Sequence, residues 1–371
     1  MMLRKNILTY CILIALLINI LLKFYLFEEY IIYLAAFHNG MTDANEFIQR
    51  ANEMRNKEYP KFPHYYSRSL VYLIFGVEKF PPLTLQTFTI IATNVLISYL
   101  ILFLITSELL KLYSEEDKVN FKYLFPVIII FSPGLFFLDA TLRPEIPGIL
   151  LLYFYLRILR NDAYDFKIFA IAIILSPFMR LSQPFVTFLV ICLKNELDFS
   201  SKKINPAKNF IIINIVFIII YTFFKVVDYE YFTGGWYSFI DYGDNLRGMI
   251  NIKEYSDIYL IFLRTIVAYF LDSLSFRVWI DIFRNPENIN NIAASFRVFL
   301  IFCITILMYK KLLIKNDFLL ISLYFCMTIP VIASIGFFQT RYLIIPDTIL
   351  YFIVLNKFSL KNIFVLKGLS K

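Results

Sequence analysis

The stretch ILTYCILIALLINILLKFYLF, residues 7–27, decides the fold class. As a helix it is long enough to cross the roughly 30 Å hydrocarbon layer of a bilayer. It is apolar on every side, so no single face marks it as the wall of a soluble core. The run TLQTFTIIATNVLISYLILFLITSELL at 84–110 repeats the pattern, and nearly continuous apolar stretches recur as far as residue 356. The whole chain agrees: of 371 residues 59% are hydrophobic and 17% charged, and the mean hydropathy is +0.68. An ordinary globular domain carries about a quarter charged residues. The reading is an all-α, polytopic transmembrane helical bundle with two longer outer loops bearing interfacial helices.

Arg4 and Lys5 precede the first run, and Glu28-Glu29 follow it with no small-residue cleavage site directly after. The run exceeds a signal-peptide core of about 7–15 residues, so it is expected to stay as an anchor. Cys11, Cys192, Cys303 and Cys326 all fall inside apolar runs and read as small buried hydrophobes. The only histidines are His38 and His64, and there is no Cys–His metal spacing. Thr233-Gly234-Gly235 lacks the Lys-Ser/Thr of a phosphate loop. No metal site and no cofactor are expected, with a divalent cation left open. A net charge of +8 is assigned to basic residues flanking the spans, not to a nucleic-acid partner.

Apolar runs set against charged breaks give ten spans: 7–27, 84–110, 123–139, 145–157, 167–177, 182–193, 209–226, 296–309, 317–337 and 342–356. Lys and Arg in short loops mark the cytoplasmic side. With residues 1–6 inside, basic residues occupy every inward piece: Arg4; Lys111 and Lys118; Arg157 and Arg160; Lys202 and Lys203; Lys310 and Lys311; and Lys357 to Lys371. Both termini are therefore expected in the cytoplasm of a multi-pass plasma (inner) membrane protein. Residues 258–283 are apolar but broken by Arg264, Asp272, Arg277 and Asp281, and an eleventh span there would put the basic tail outside. They read as interfacial or re-entrant, with Tyr269 and Trp279 at a suitable depth. Segments 28–83 and 227–295 are the two long outer loops, and no linker or internal repeat divides the 1–371 membrane domain.

Three short outward turns each carry an arginine, Arg143, Arg180 and Arg341, where the charge rule disfavours one. Each alone can snorkel to lipid headgroups or pair locally, as Arg143 with Glu145. Three on one side favour a shared pocket for an anion, because guanidinium forks suit phosphate oxygens. In the first outer loop, residues 42–54 read as a helix capped by Thr42, with Phe47, Ala51 and Met54 on one face. Glu46 and Arg50 are spaced for an exposed ion pair, Asp43 favours the helix dipole, and Glu53 points to solvent. The functional alternative is a carboxylate just above the membrane that takes a proton from a substrate hydroxyl. Tyr65, Tyr66 and Arg68 follow, with Tyr229, Trp236, Tyr237, Asp241 and Asp244 in the second loop. The tyrosines suit an interfacial belt or a sugar ring.

These features together resemble the GT-C class of integral membrane glycosyltransferases. The likeness rests on Asp43 and Glu46-Phe47 with Ala51 and Met54, and on Tyr65-Tyr66-Ser67-Arg68 through Phe75-Gly76. It continues with Asp139 or Glu145, with Arg180 between short spans, and with Arg341-Tyr342 running to Pro346. The first loop departs from members with an Asp-Glu pair, and no large C-terminal outer domain is present. The resemblance implies inverting transfer of a sugar from a polyprenyl-phosphate donor to a glycan or lipid acceptor. Asp43 is then the base, with Glu46 as substitute, while Arg143, Glu145, Arg180, Arg341, Tyr342, Tyr66 and Arg68 bind substrate. An O-antigen-type polymerase or ligase is the competing enzyme reading, and a lipid-linked glycan flippase or transporter the third.

Overall fold

The computed structural model describes residues 2–36, 43–58, 60, 63–115, 118–140, 146–160, 165–179, 183–199, 208–209, 211–216, 219, 289–335 and 344–358. Among them every regular element is a helix and none is a strand. The chain divides into two compact units, Met1–Ile191 and Cys192–Lys371.

The first unit holds α1 (Met2–Ala36), α2 (Asp43–Arg55), α3 (Pro63–Ile74), α4 (Thr84–Leu112), α5 (Val119–Ile130), α6 (Pro133–Ala140), α7 (Ile146–Arg160) and α8 (Phe166–Met179). Helix α9 (Gln183–Phe199) leads from the first unit into the second, which continues with α10 (Ile289–Tyr309), α11 (Lys315–Ile335) and α12 (Ile344–Lys357). Two segments are long and apolar enough to cross a membrane, Ile7–Glu28 within α1 and Thr84–Leu112. Shorter apolar helices occur at Val119–Ile130, Phe166–Phe178 and Phe296–Tyr309.

Helix α4 is the hub of the first unit, packed against α1, α5, α6 and α7. Its buried face carries Ile90, Ile91, Val95, Ile101, Leu102, Ile105 and Leu109. Phe24 meets Phe88 edge-on at 5.6 Å and Phe27 meets Phe80 at 6.3 Å, which sets the later half of α1 beside the start of α4. At the opposite end Glu108 of α4 is bound by Arg160 of α7 at 2.6 Å and by Lys111 at 3.2 Å. Tyr155 and Thr187 share a hydrogen bond of 2.9 Å that joins α7 to α9. In the second unit α12 packs against both α10 and α11.

Much of the apolar surface is turned outward. Along α1, Tyr10, Leu13, Ile14, Leu17, Ile18, Leu21 and Tyr25 are all exposed. So are Leu96, Ile97, Leu100 and Leu104 on α4, and Phe296, Phe299 and Phe302 on α10. Apolar faces of that extent mark contact with lipid or protein, not with water.

Two expectations change. The apolar run 123–139 is not one helix: α5 ends at Ile130 and α6 begins at Pro133. Proline lacks the N–H that would continue the ladder and pushes the residue before it out of helical backbone. Ser132 donates to the freed Ile129 carbonyl at 2.6 Å, and Asn19 of α1 reaches the Ile130 carbonyl at 3.5 Å. Helix α1 also continues through Glu28-Glu29 to Ala36, beyond the run that ends at Phe27. The helices α5, α7, α8 and α12, of 12, 15, 14 and 14 residues, are shorter than the roughly 20 needed for a straight crossing.

Candidate functional site

Helices α2 and α3 pack side by side and run in the same direction, start beside start and end beside end. Helix α2 buries Ala44, Phe47, Ile48 and Ala51; Phe47 and Ala51 belong to the face read from the sequence, while Met54 of that face is half-buried. Helix α3 stops at a left-handed Gly76, φ 64°, with Gly76 N–H bonding the Leu73 carbonyl and Val77 N–H the Tyr72 carbonyl. This is a Schellman cap, in which glycine avoids the Cβ clash of positive φ. Arg55 at the end of α2 donates to the Tyr72 carbonyl at 3.0 Å and the Val77 carbonyl at 2.8 Å, holding both helix ends together. Gln86 in the first turn of α4 donates to the Phe75 and Gly76 carbonyls at 3.1 and 3.2 Å, which fastens the helix pair to the start of α4.

The polar side chains gather on the seam between α2 and α3. Tyr65 donates its hydroxyl to Glu46 at 2.6 Å. Arg50 lies over the Tyr65 ring, 5.1 Å from its centroid, and Arg68 over the Phe47 ring at 5.5 Å. Arg50 gives two bonds of 2.9 Å to Glu53 and stands 3.9 Å from Glu46. Hydrogen bonding to Glu53 raises the Arg50 guanidinium above its ordinary value despite partial burial. Glu53 therefore does not point to solvent: its side chain is only 22% exposed, because the three-residue spacing gives Arg50 a better reach than the four-residue spacing to Glu46. Glu46 keeps 43% exposure and one carboxylate oxygen outside the Tyr65 bond.

The seam also has a fixed place on the first unit. Ser67 donates to the Phe178 carbonyl in the last turn of α8, two residues before Arg180. Helices α7 and α8 are packed neighbours joined by a short connection, so α7 begins at the end where α8 finishes. The Glu108–Arg160 pair brings the C-terminal ends of α4 and α7 together, so the two helices run in the same direction. Asp43, Glu46, Tyr66 and Arg68 thus stand at the end of the unit from which segments 141–145 and 180–182 depart. Asp43 is the first residue of α2, and Tyr66 and Arg68 are partly buried on α3. Arg143, Glu145, Arg180, Arg341, Tyr342 and Thr42 lie outside the described residues, as does segment 227–288.

The structure reveals charged residues that a search of the turns misses. Arg297 of α10 is 1% exposed and holds Asp347 of α12 through bonds of 2.8, 2.9 and 2.6 Å. Tyr324 of α11 also interacts with that carboxylate. Lys23 of α1 is fully buried, its ammonium 5.4 Å from the Phe136 ring centroid. The signal was present in the sequence, since the apolar runs 7–27, 296–309 and 342–356 each contain one of these residues. An ionisable group inside a span is costly and is placed toward a partner or a site.

The arrangement offers a half-exposed carboxylate and aromatic rings with stacked guanidinium groups. That set can take a proton from a hydroxyl and stack against a sugar ring. Among the described residues no cluster of three or more His, Cys, Asp or Glu side chains is placed to hold a metal ion. No protein-family model, no curated protein and no solved structure matches the chain.

Proposed function

We propose that the chain is a membrane glycosyltransferase that moves a sugar from a polyprenyl-phosphate carrier to an acceptor hydroxyl at the outer face of the plasma membrane, in cell-envelope glycan assembly. The proposed architecture has ten crossings, with the shorter helices extended by their flanking residues and both termini in the cytoplasm. The Lys and Arg of the inward pieces support that orientation, and the exposed apolar faces of α1, α4 and α10 support embedding in lipid.

One observation carries the functional reading. The α2–α3 pair, with Glu46, Tyr65 and Arg68, is fastened at the end of the first unit from which the Arg143 and Arg180 segments leave. That placement supports reading the carboxylates and the arginines as parts of one site. In the proposed reaction the acceptor oxygen attacks the anomeric carbon as the bond from that carbon to the phosphate oxygen breaks. The acceptor proton passes to Asp43 or Glu46, and the arginines stabilise the departing phosphate. Phosphate leaves as an anion, so one carboxylate suffices where glycosidases use two.

The test is single-turnover transfer from a polyprenyl-phosphate sugar in membranes, with Asp43→Asn beside Glu46→Gln. Loss of the true base lowers transfer by about 10²–10⁴-fold while donor binding persists. If Asp43 only supports the helix, Asn serves nearly as well there. Loss in Glu46→Gln alone assigns the proton to Glu46. Full activity in both variants removes this helix pair from the chemistry and favours the polymerase reading.

A further inference from the structure

Helix α4 carries a second polar feature, which begins one residue beyond Gln86. Thr87 and Asn94 are 0% exposed and Ser98 is 1% exposed. Four of their atoms, Thr87 Oγ1, Asn94 Nδ2, Asn94 Oδ1 and Ser98 Oγ, are buried without a hydrogen-bond partner among the described residues. Residues seven and eleven apart recur on one helix face, so the three form a stripe about 16 Å long. Back-bonding to the preceding turn is the usual escape for a helical hydroxyl. Elsewhere on α4 it is used: Thr89 donates to the Leu85 carbonyl at 2.7 Å and Thr106 to the Leu102 carbonyl at 2.6 Å. Thr87 and Ser98 do not use it. The Asn94 amide, with two donors and an acceptor, is wholly unsatisfied.

Buried polar atoms are almost always paired, with protein or with water. A row of orphans inside a bundle therefore calls for a partner that is small, neutral and able both to donate and to accept. Water fits each requirement, and it enters buried sites where several polar groups converge. On α1, Asn19 and Lys23 are also 0% exposed, and the Phe24–Phe88 contact sets Lys23 and Thr87 at similar heights. Polar character thus belongs to this level of the unit and not to one stray side chain.

We propose that the Thr87–Asn94–Ser98 face of α4 lines a hydrated crevice that opens at the end where α4 begins and admits water about 16 Å into the first unit. The packed arrangement is its closed state, and opening supplies the missing hydrogen bonds. The inference uses the orientation proposed for α4, with Thr84 outward, and does not depend on the transfer chemistry.

The test introduces Thr87→Cys, Asn94→Cys and Ser98→Cys singly into the full-length chain in sealed vesicles. A membrane-impermeant sulfonatoethyl methanethiosulfonate is added outside, and each site is read by peptide mass spectrometry. Leu100→Cys, two residues from Ser98 on the exposed apolar face, is the lipid control. Ser98→Cys and Thr87→Cys should react at least about tenfold faster than Leu100→Cys, because only a hydrated thiol ionises to the reactive thiolate. Reaction of Ser98→Cys no faster than the control overturns the crevice. Ser98→Cys exchanges a single atom, so it decides the matter even where Asn94→Cys fails to insert. Reaction only from the cytoplasmic side overturns the outward opening, and independent labelling at Ser114 separates that result from an inverted α4. A second measurement is the melting temperature of Asn94→Leu. A dry seam gains stability when two orphaned atoms are removed, and that gain contradicts the proposal; an unchanged or lowered value agrees with it.

Discussion

Replacing Asp347 with leucine removes the carboxylate that Arg297 holds at a site with 1% exposure. Three bonds of 2.6 to 2.9 Å are lost together. Each charge-assisted bond contributes about 1.5–3 kcal/mol in isolation, but they share one guanidinium and do not add. The governing quantity is the loss of the opposite charge in the interior, which costs about 3–5 kcal/mol when one member of a buried pair is removed. For a unit of this size, 1 kcal/mol moves the midpoint by about 2–4 °C, so Asp347→Leu should lower it by roughly 6–20 °C. The assay is thermal unfolding of the detergent-solubilised protein, followed by the fraction remaining monodisperse on size exclusion. The double variant Arg297→Met with Asp347→Leu removes both charges and keeps the volume. It should recover most of the loss, because an apolar pair of similar shape often equals a buried ion pair. A single variant melting within about 2 °C of the parent would refute the claim that this pair fastens α10 to α12. So would a double variant as unstable as the single one, since the damage would then lie in packing and not in the loss of the opposite charge.

Tyr65→Phe removes the hydroxyl from Glu46 while keeping the ring under Arg50. With Glu46 43% exposed, the loss should be about 0.5–1 kcal/mol, read as a small shift in chemical denaturation. Glu108→Gln leaves Arg160 and Lys111 without their shared carboxylate at a side chain 7% exposed. It should cost about 1–3 kcal/mol, measured by the same thermal assay. Lys311 closes α10 at φ 54°, with Leu312 N–H bonded to the Leu307 carbonyl. Lys311→Gly should relieve a left-handed Cβ clash and stabilise by about 0.5–1 kcal/mol, visible as a higher midpoint. Cysteines at Ser114 and Ser238 should label from the inside and the outside respectively, and labelling of the first from outside would invert the topology.

Helix positions followed from the sequence wherever a long apolar run met a strong boundary. Helix α4 spans Thr84–Leu112 because Pro81-Pro82 precede it and charged residues follow. The apolar face of α2 was legible from the spacing of Phe47 and Ala51, both buried. The 123–139 run failed because hydropathy is blind to a backbone break, and Pro133 sits among residues just as apolar as those of an unbroken helix. Glu53 was misplaced for a different reason. Glu46 and Glu53 both lie within helical reach of Arg50, and the guanidinium bonds Glu53 at 2.9 Å while standing 3.9 Å from Glu46. Arg297 and Asp347 are fifty residues apart in the chain, and no local pattern joins them. What the sequence did offer was their cost: each is an ion within an apolar run, and each needed a partner somewhere.

The break between α5 and α6 bears on how the chain is assembled. By the rise of a helix, α5 and α6 reach only about 18 and 12 Å, so neither is a crossing by itself. Inserting machinery that samples the nascent chain meets 119–140 as a single greasy segment with two exposed carbonyls at its middle. One of those carbonyls, at Ile129, is quenched locally by Ser132, but the other looks to Asn19. Asn19 belongs to α1, which is synthesised about a hundred residues earlier. In the proposed ten-crossing architecture, helix α1 would be a template already standing in the membrane when the interrupted segment arrives. Biogenesis should accordingly be ordered: a chain with Asn19 replaced by leucine would mature slowly at this step even where the finished fold tolerates the change.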